Sequence, residues 1–161
     1  MAINPYATQL GANDPRKIIA ETPARLTAIV EQLGDSGLET SWAPGKWSAR
    51  AILCHLADCE IAFAFRLRQI LAQDHHVMQP FDQDAFAKTY ATANGKVALE
   101  TFNALRRWNL SLISGLSPAD FAKKANHPER GEMTFQTVIE TMGGHDLNHL
   151  RQLETAASAT A

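Results

Sequence analysis

The stretch MTFQTVIETMGGHDLNHLRQL, residues 133–153, decides how this chain is read. Phe135, Val138 and Met142 recur at helical spacing and draw one apolar line. Continued by a turn, and then by another, that line reaches His145 and His149, where a Val or Leu is due. At about 100° per residue the two imidazoles stand within about 40° of each other and a turn apart. An HxxxH pair so placed lets two imidazoles reach one metal ion. Thr134 caps this helix, which the pattern carries to about Ala157, and the Ala/Thr/Ser ending after Leu153 reads as a fraying terminus. Gly143-Gly144 in mid-helix costs about 0.8–1 kcal/mol per glycine relative to Ala. The pair therefore calls for close helix approach, backbone clearance beside a site, or a break in the helix.

Working outward, three more helices precede it, and no strand pattern competes with them. Asp14-Pro15 and Thr22-Pro23 are alternative starts for the first; its main body is taken as 22–33, with Leu26, Ile29, Val30 and Leu33 on one face and Gly34 as the stop. Ser48 opens a long second helix to Gln73, striped by Ile52, Leu56, Cys59, Phe63, Leu67 and Ile70. An irregular connection runs from Asp74 to Gly95, long enough to carry function or short turns of its own. Asn94 then caps a third helix over 96–114, with Leu99, Phe102, Leu105, Leu112 and Ile113 inward. Four amphipathic helices with long connections, in one domain spanning 1–161, predict an all-α four-helix bundle.

Composition agrees and excludes other classes. The chain has 161 residues, 45% of them hydrophobic and 20% charged, enough to build a core without a disulfide or metal staple. Fifteen Lys+Arg against 17 Asp+Glu, a net charge of −2, argues against a nucleic-acid partner. No apolar run approaches a membrane span, and MAINPYATQL has no signal-peptide pattern, so a cytoplasmic location is expected. Cys54 and Cys59, five apart on a helix, point away from each other and read as reduced core thiols.

The third metal donor comes from the second helix, where His55 borders the apolar stripe and looks into the bundle. Three neutral imidazoles would hold a divalent ion and leave a position for water or substrate. Asp58, a turn beyond His55, is a candidate general base, and Asp146 a candidate base or imidazole orienter. Each could equally be a solvated helix-face charge. Gln152, three residues after His149, is expected to line the site and touch substrate. Arg66 is too far along the axis to reach the ion and reads as a bundle-end salt bridge. His75, His76 and His127 read as exposed loop residues, His75 or His76 with an outside claim to the pocket rim. Cys59 is open to a thiolate role, with a buried core thiol the plainer reading.

GKWSARAILCHLADCEIAFAFRLRQIL (45–71), with its Trp-Ser start and HLxDxE-type motif, resembles the DinB/YfiT-like superfamily. The HDxxHxxQL ending within 133–153, and the connections PFDQDAF (80–86) and HPERGEMT (127–134), are similar to it as well. The resemblance implies an up-down-down-up bundle, often a homodimer, with His55, His145 and His149 holding a divalent ion. Zinc or nickel stands first, and iron or manganese after them. It further implies a small-molecule substrate and a metal-dependent hydrolase, or a transferase using a low-molecular-weight thiol. A non-catalytic, stress-associated metal-binding dimer and a metal-free structural bundle are the alternatives outside catalysis.

Overall fold

The computed structural model describes residues 3–159; the two residues at either end, which belong to the terminal stretches read above, lie outside them. Capping residues start each long helix. Asp14 caps α2 (Pro15–Gly37), Ser48 caps α3 (Ala49–Ala72), Asn94 caps α5 (Gly95–Ser114) and Thr134 caps α7 (Phe135–Ser158). Short helices α1 (Ala7–Leu10), α4 (Gln83–Ala87) and α6 (Pro118–Phe121) lie between or before them. At Gly34 the φ of 61° interrupts α2, and one further turn follows.

The direction of each long helix follows from its cross-contacts. Along α3 and α5, Glu60 meets Arg106 and Arg68 meets Asn109, so the two run parallel. In the same way α2 and α7 are parallel, for Gly143 packs on Pro15 and Glu154 pairs with Arg25. Between α2 and α5 the order reverses: Ile19 meets Arg106 and Thr27 meets Asn103. The bundle is therefore up-down-down-up, and the parallel α3–α5 pair requires the long connection over 73–94. The all-α four-helix expectation holds.

Three features differ from the sequence reading. First, α2 begins at Pro15, not Thr22, so Pro23 lies inside the helix. A proline there leaves the carbonyl four residues back without its helical donor. That carbonyl belongs to Ile19, and it accepts instead from Arg106 Nη1 at 2.9 Å. Second, a small sheet is present: β1 (His76–Val77) runs parallel to β2 (Lys124–His127), which pairs antiparallel with β3 (Gly131–Thr134). Strands of two to four residues are too short to show an alternating pattern, and the β1–β2 pairing joins segments nearly fifty residues apart. Third, the inward line of α5 is Leu99, Phe102, Arg106, Asn109 and Ile113, with Leu105 and Leu112 only half-buried.

Two apolar layers fill the bundle. Leu26, Leu53, Leu56, Phe102, Leu150 and Leu153 belong to one. Ile19, Phe63, Leu67, Phe135, Ile139 and Met142 belong to the other. On α3 and α7 the polar residues His55, Glu60, His145, Asp146 and His149 fall at the changeover, all buried. A polar belt thus crosses the core between the layers. Among the described residues no helix is long and apolar enough to cross a membrane.

Candidate metal centre

From the belt, His55 on α3 and His145 and His149 on α7 converge, with ring centroids 4.5–5.2 Å apart. Nε2 of His55 and Nε2 of His145 face each other at 3.0 Å, so without a cation one must carry the proton that the other accepts. His149 Nδ1 lies 2.8 Å from Gln152 Oε1, an oxygen that can only accept, so Nδ1 carries the proton and Nε2 presents a lone pair. That Nε2 is buried and has no hydrogen-bond partner among the described residues. Such an atom is costly unless something occupies its lone pair.

Electrostatics keep all three rings neutral. Burial, helped by the neighbouring His149 ring, pulls His55 down to about 3. Burial likewise brings His149 to about 4, against the pull of Gln152. His145 falls well below the usual histidine range through burial, the two other rings and Arg106. Neutral imidazoles are the form that binds a divalent ion. The donor set fits a metal ion on the chemistry of its own atoms.

His55 and His145 of the cluster, but not His149, line a cavity of about 270 Å³. Cys59 and Phe63 line it with them, together with Tyr6, Arg66, His127, Glu129 and Arg130. Tyr6 reaches it because Gly143 and Gly144 leave room: a Cβ on Gly144 would stand 2.4 Å from the Tyr6 carbonyl oxygen. α7 is unbroken there. The glycine pair is thus a seat for the N-terminal segment, and the Tyr6 ring packs edge-on to His145 at 5.1 Å. A larger groove of about 700 Å³ is lined by His75, Lys123 and Lys124 and by none of His55, His145 and His149.

Several candidate residues stand elsewhere than their sequence neighbours suggested. Asp146 is neither a surface charge nor an imidazole partner. It is buried, and its two oxygens accept from Arg106 at 2.6 and 3.1 Å. Arg106 also binds Glu60 at 2.8 and 2.9 Å, and Asn109 donates to Glu60 at 2.7 Å. Burial lowers the affinity of Arg106 for its proton, but Asp146 and Glu60 more than reverse this, and it stays charged. Asp58 turns to the outer side of α3, where its carboxylate accepts from the Tyr90 hydroxyl at 2.7 Å. Gln152 backs His149 and does not line the cavity. Arg66 makes no salt bridge among those described; its side chain, angled toward the helix N-terminus, lines the cavity and donates to the Gln79 carbonyl at 2.8 Å. His127, read as exposed, is buried on β2 and lines the same cavity.

Tyr6, Arg130 and the Glu60–Arg106 pair are the residues that sequence reasoning missed, while Cys59, left open there to a thiolate role, lines the cavity. Two signals pointed toward them: the glycine pair, which marks the Tyr6 seat, and Pro23, which frees a carbonyl for Arg106.

Comparison with known proteins places this architecture. The model of the DinB superfamily matches residues 18–153. A relative from Oceanobacillus iheyensis, named "Putative metal-dependent hydrolase", is 29% identical over 136 residues, covering 84% of this chain and 79% of its own. "Putative metal-dependent hydrolase YfiT" of Bacillus subtilis is 27% identical over 141 residues, covering 85% and 79%. The solved structure of YfiT, described as an unusual four-helix bundle topology, superposes with a TM-score of 0.83 at 23% identity, covering 91% of this chain and 85% of that one.

Proposed function

The chain belongs to the DinB superfamily, and from that premise we propose that it is a metal-dependent hydrolase acting on a small anionic molecule. The observation that carries the proposal is the convergence of three neutral imidazoles with a buried, unpartnered Nε2 on His149. His55, His145 and His149 would hold the ion, zinc or nickel before iron or manganese. A bound ion of this kind lowers the pKa of a water molecule until it is a nucleophile near neutral pH.

The remaining work falls to the chain's own side chains. Gln152 holds His149 in the tautomer that offers Nε2 outward. Phe63 and the edge-on Tyr6 ring keep bulk water from His145. Arg66 and Arg130 face the same cavity and have no carboxylate partner among the described ion pairs, and Nε of Arg130 is buried without an acceptor. A carboxylate or phosphate on the substrate would satisfy both. The volume of the cavity, at the low end for ligand sites, suits a small molecule.

One observation favours a second reading. The two arginines and Gln83 would also grip the polar end of a low-molecular-weight thiol, with the ion activating its sulfur for transfer to an electrophile. The test is metal analysis of the purified chain, followed by ester and amide panels run beside electrophile conjugation with several cellular thiols. Metal-dependent, thiol-independent hydrolysis supports the first reading, and turnover only with a thiol supports the second. A folded protein that binds no divalent ion tightly, or binds one and turns over nothing, overturns both.

A further inference from the structure

Cys59 follows His55 by one turn on the cavity side of α3, and its Sγ lies 3.5 Å from His55 Nε2 and 3.8 Å from Nδ1. Donor atoms of His55, Cys59 and His145 all fall within 4.8 Å of one another, and all three residues are buried. A thiol is a weak donor, so these separations make a poor hydrogen bond. The separation of Sγ from Nε2 also fits another arrangement. Ligands about 2.0–2.1 Å (nitrogen) and about 2.3 Å (sulfur) from a shared tetrahedral ion stand roughly 3.3–3.6 Å apart. Here the nitrogen-to-sulfur spacing of 3.5 Å falls in that range, and the 3.0 Å between the two nitrogens is somewhat shorter. The buried Nε2 of His149, which has no hydrogen-bond partner among the described residues and whose ring packs on both other histidines, lies beside this group but outside it.

We propose that Cys59 is a metal ligand, binding as the thiolate beside the histidines, so that the water or substrate of the proposed reaction would enter as a further, fifth ligand. On binding, the S–H bond breaks, the proton leaves to buffer, and the sulfur lone pair forms the bond to the ion; nothing is oxidised or reduced. A thiolate cancels one unit of the ion's charge and tilts the site toward borderline and soft ions, zinc above manganese. The inference rests on the metal-centre reading above and adds to it a donor of different chemistry.

The test is titration of the metal-free, full-length chain with cobalt(II), whose absorption separates the two claims. Ligand-field bands report an ion bound at the histidines. An intense near-ultraviolet charge-transfer band appears only when sulfur is bound. The wild type and Cys54→Ser are expected to show both sets of bands and to release a proton as the ion binds. Cys59→Ser and Cys59→Ala are expected to keep the ligand-field bands and lose the charge-transfer band. Ligand-field bands without the sulfur band in the wild type would overturn the role of Cys59 and leave the metal centre standing. A sulfur band that survives Cys59→Ser would overturn it as well. No cobalt bands of either kind in the folded wild type would overturn the metal centre and this inference together.

Discussion

Cys59 and Glu60 are neighbours on α3, as His145 and Asp146 are on α7, yet within each pair the side chains serve opposite ends. Cys59 and His145 line the cavity; Glu60 and Asp146 turn between the helices to Arg106. On the Arg106 side every charged atom is engaged. Glu60 and Asp146 each receive two guanidinium hydrogen bonds, Asn109 adds one to Glu60, and Ile19 lends a carbonyl. The cavity side is a group of bases with too few acids, and among the described residues Nε2 of His149 and Nε of Arg130 are buried without a hydrogen-bond partner. A fully paired buried network ties four helices in one register and asks for nothing more. An under-satisfied one is where a ligand belongs.

Acid should separate the two sides most sharply. Folded His55 and His149 hold pKa values of about 3 and about 4, below the ordinary 6.5 of the unfolded chain. Below pH 6.5 the unfolded chain therefore binds more protons than the folded one. Stability of the metal-free protein is full above that pH and falls as pH drops toward 4, by about 1.4 kcal/mol per pH unit for each such histidine. Urea midpoints measured across this window should decline steeply, and saturating zinc should hold them up at its upper end. A flat profile between pH 6.5 and 5 would show that the imidazoles are not buried together.

Arg106→Met attacks the other side. It strands two buried carboxylates, and breaking a buried pair in this way costs about 3–5 kcal/mol. Chemical denaturation should show that loss, while the metal content of the folded fraction stays at the wild-type level. Where the variant does not fold, Asp146→Asn, which keeps an acceptor for the guanidinium, gives a smaller loss in the same direction. Loss of metal binding in either folded variant would erase the distinction between the two networks. Gln152→Ala comes next. It removes the oxygen that fixes the His149 tautomer, and metal affinity should fall about 10–100-fold with little change in the stability of the metal-free form. Calorimetric titration of zinc reads the affinity, and urea denaturation of the metal-free form reads the stability.

The same contrast explains what was legible from residue order. The capping residues Ser48, Asn94 and Thr134 and the apolar stripes are local signals, and they lead directly to the long helices. His145 and His149 announce themselves because imidazoles interrupt an apolar line. Arg106 breaks such a line too, but it is buried only because its partners arrive from α2, α3 and α7, which no local pattern contains. The cavity wall has the same character. Tyr6 comes from ahead of α2 and Arg130 from the turn between β2 and β3, so neither has a periodic neighbour to point it inward. Pro23 looks like a helix start, because the guanidinium that takes over the Ile19 carbonyl is invisible at that distance.

Asp58 gives the smallest effect and the cleanest check on direction. Its motif position, a turn from His55, suggests a base beside the ion, whereas its carboxylate accepts from Tyr90 across the outer face of α3. If that contact is its whole role, Asp58→Ala loses about 1 kcal/mol of stability, the worth of one ordinary hydrogen bond. Tyr90→Phe should lose a similar amount, and the double variant little more than either, because both remove the same interaction. Zinc affinity and the cobalt spectrum should match the wild type in all three. A drop in metal affinity confined to Asp58→Ala would mean that the carboxylate reaches His55 in solution. Asp58 would then belong with Cys59 and His145 on the cavity side, and α3 would carry its acid to the ion after all.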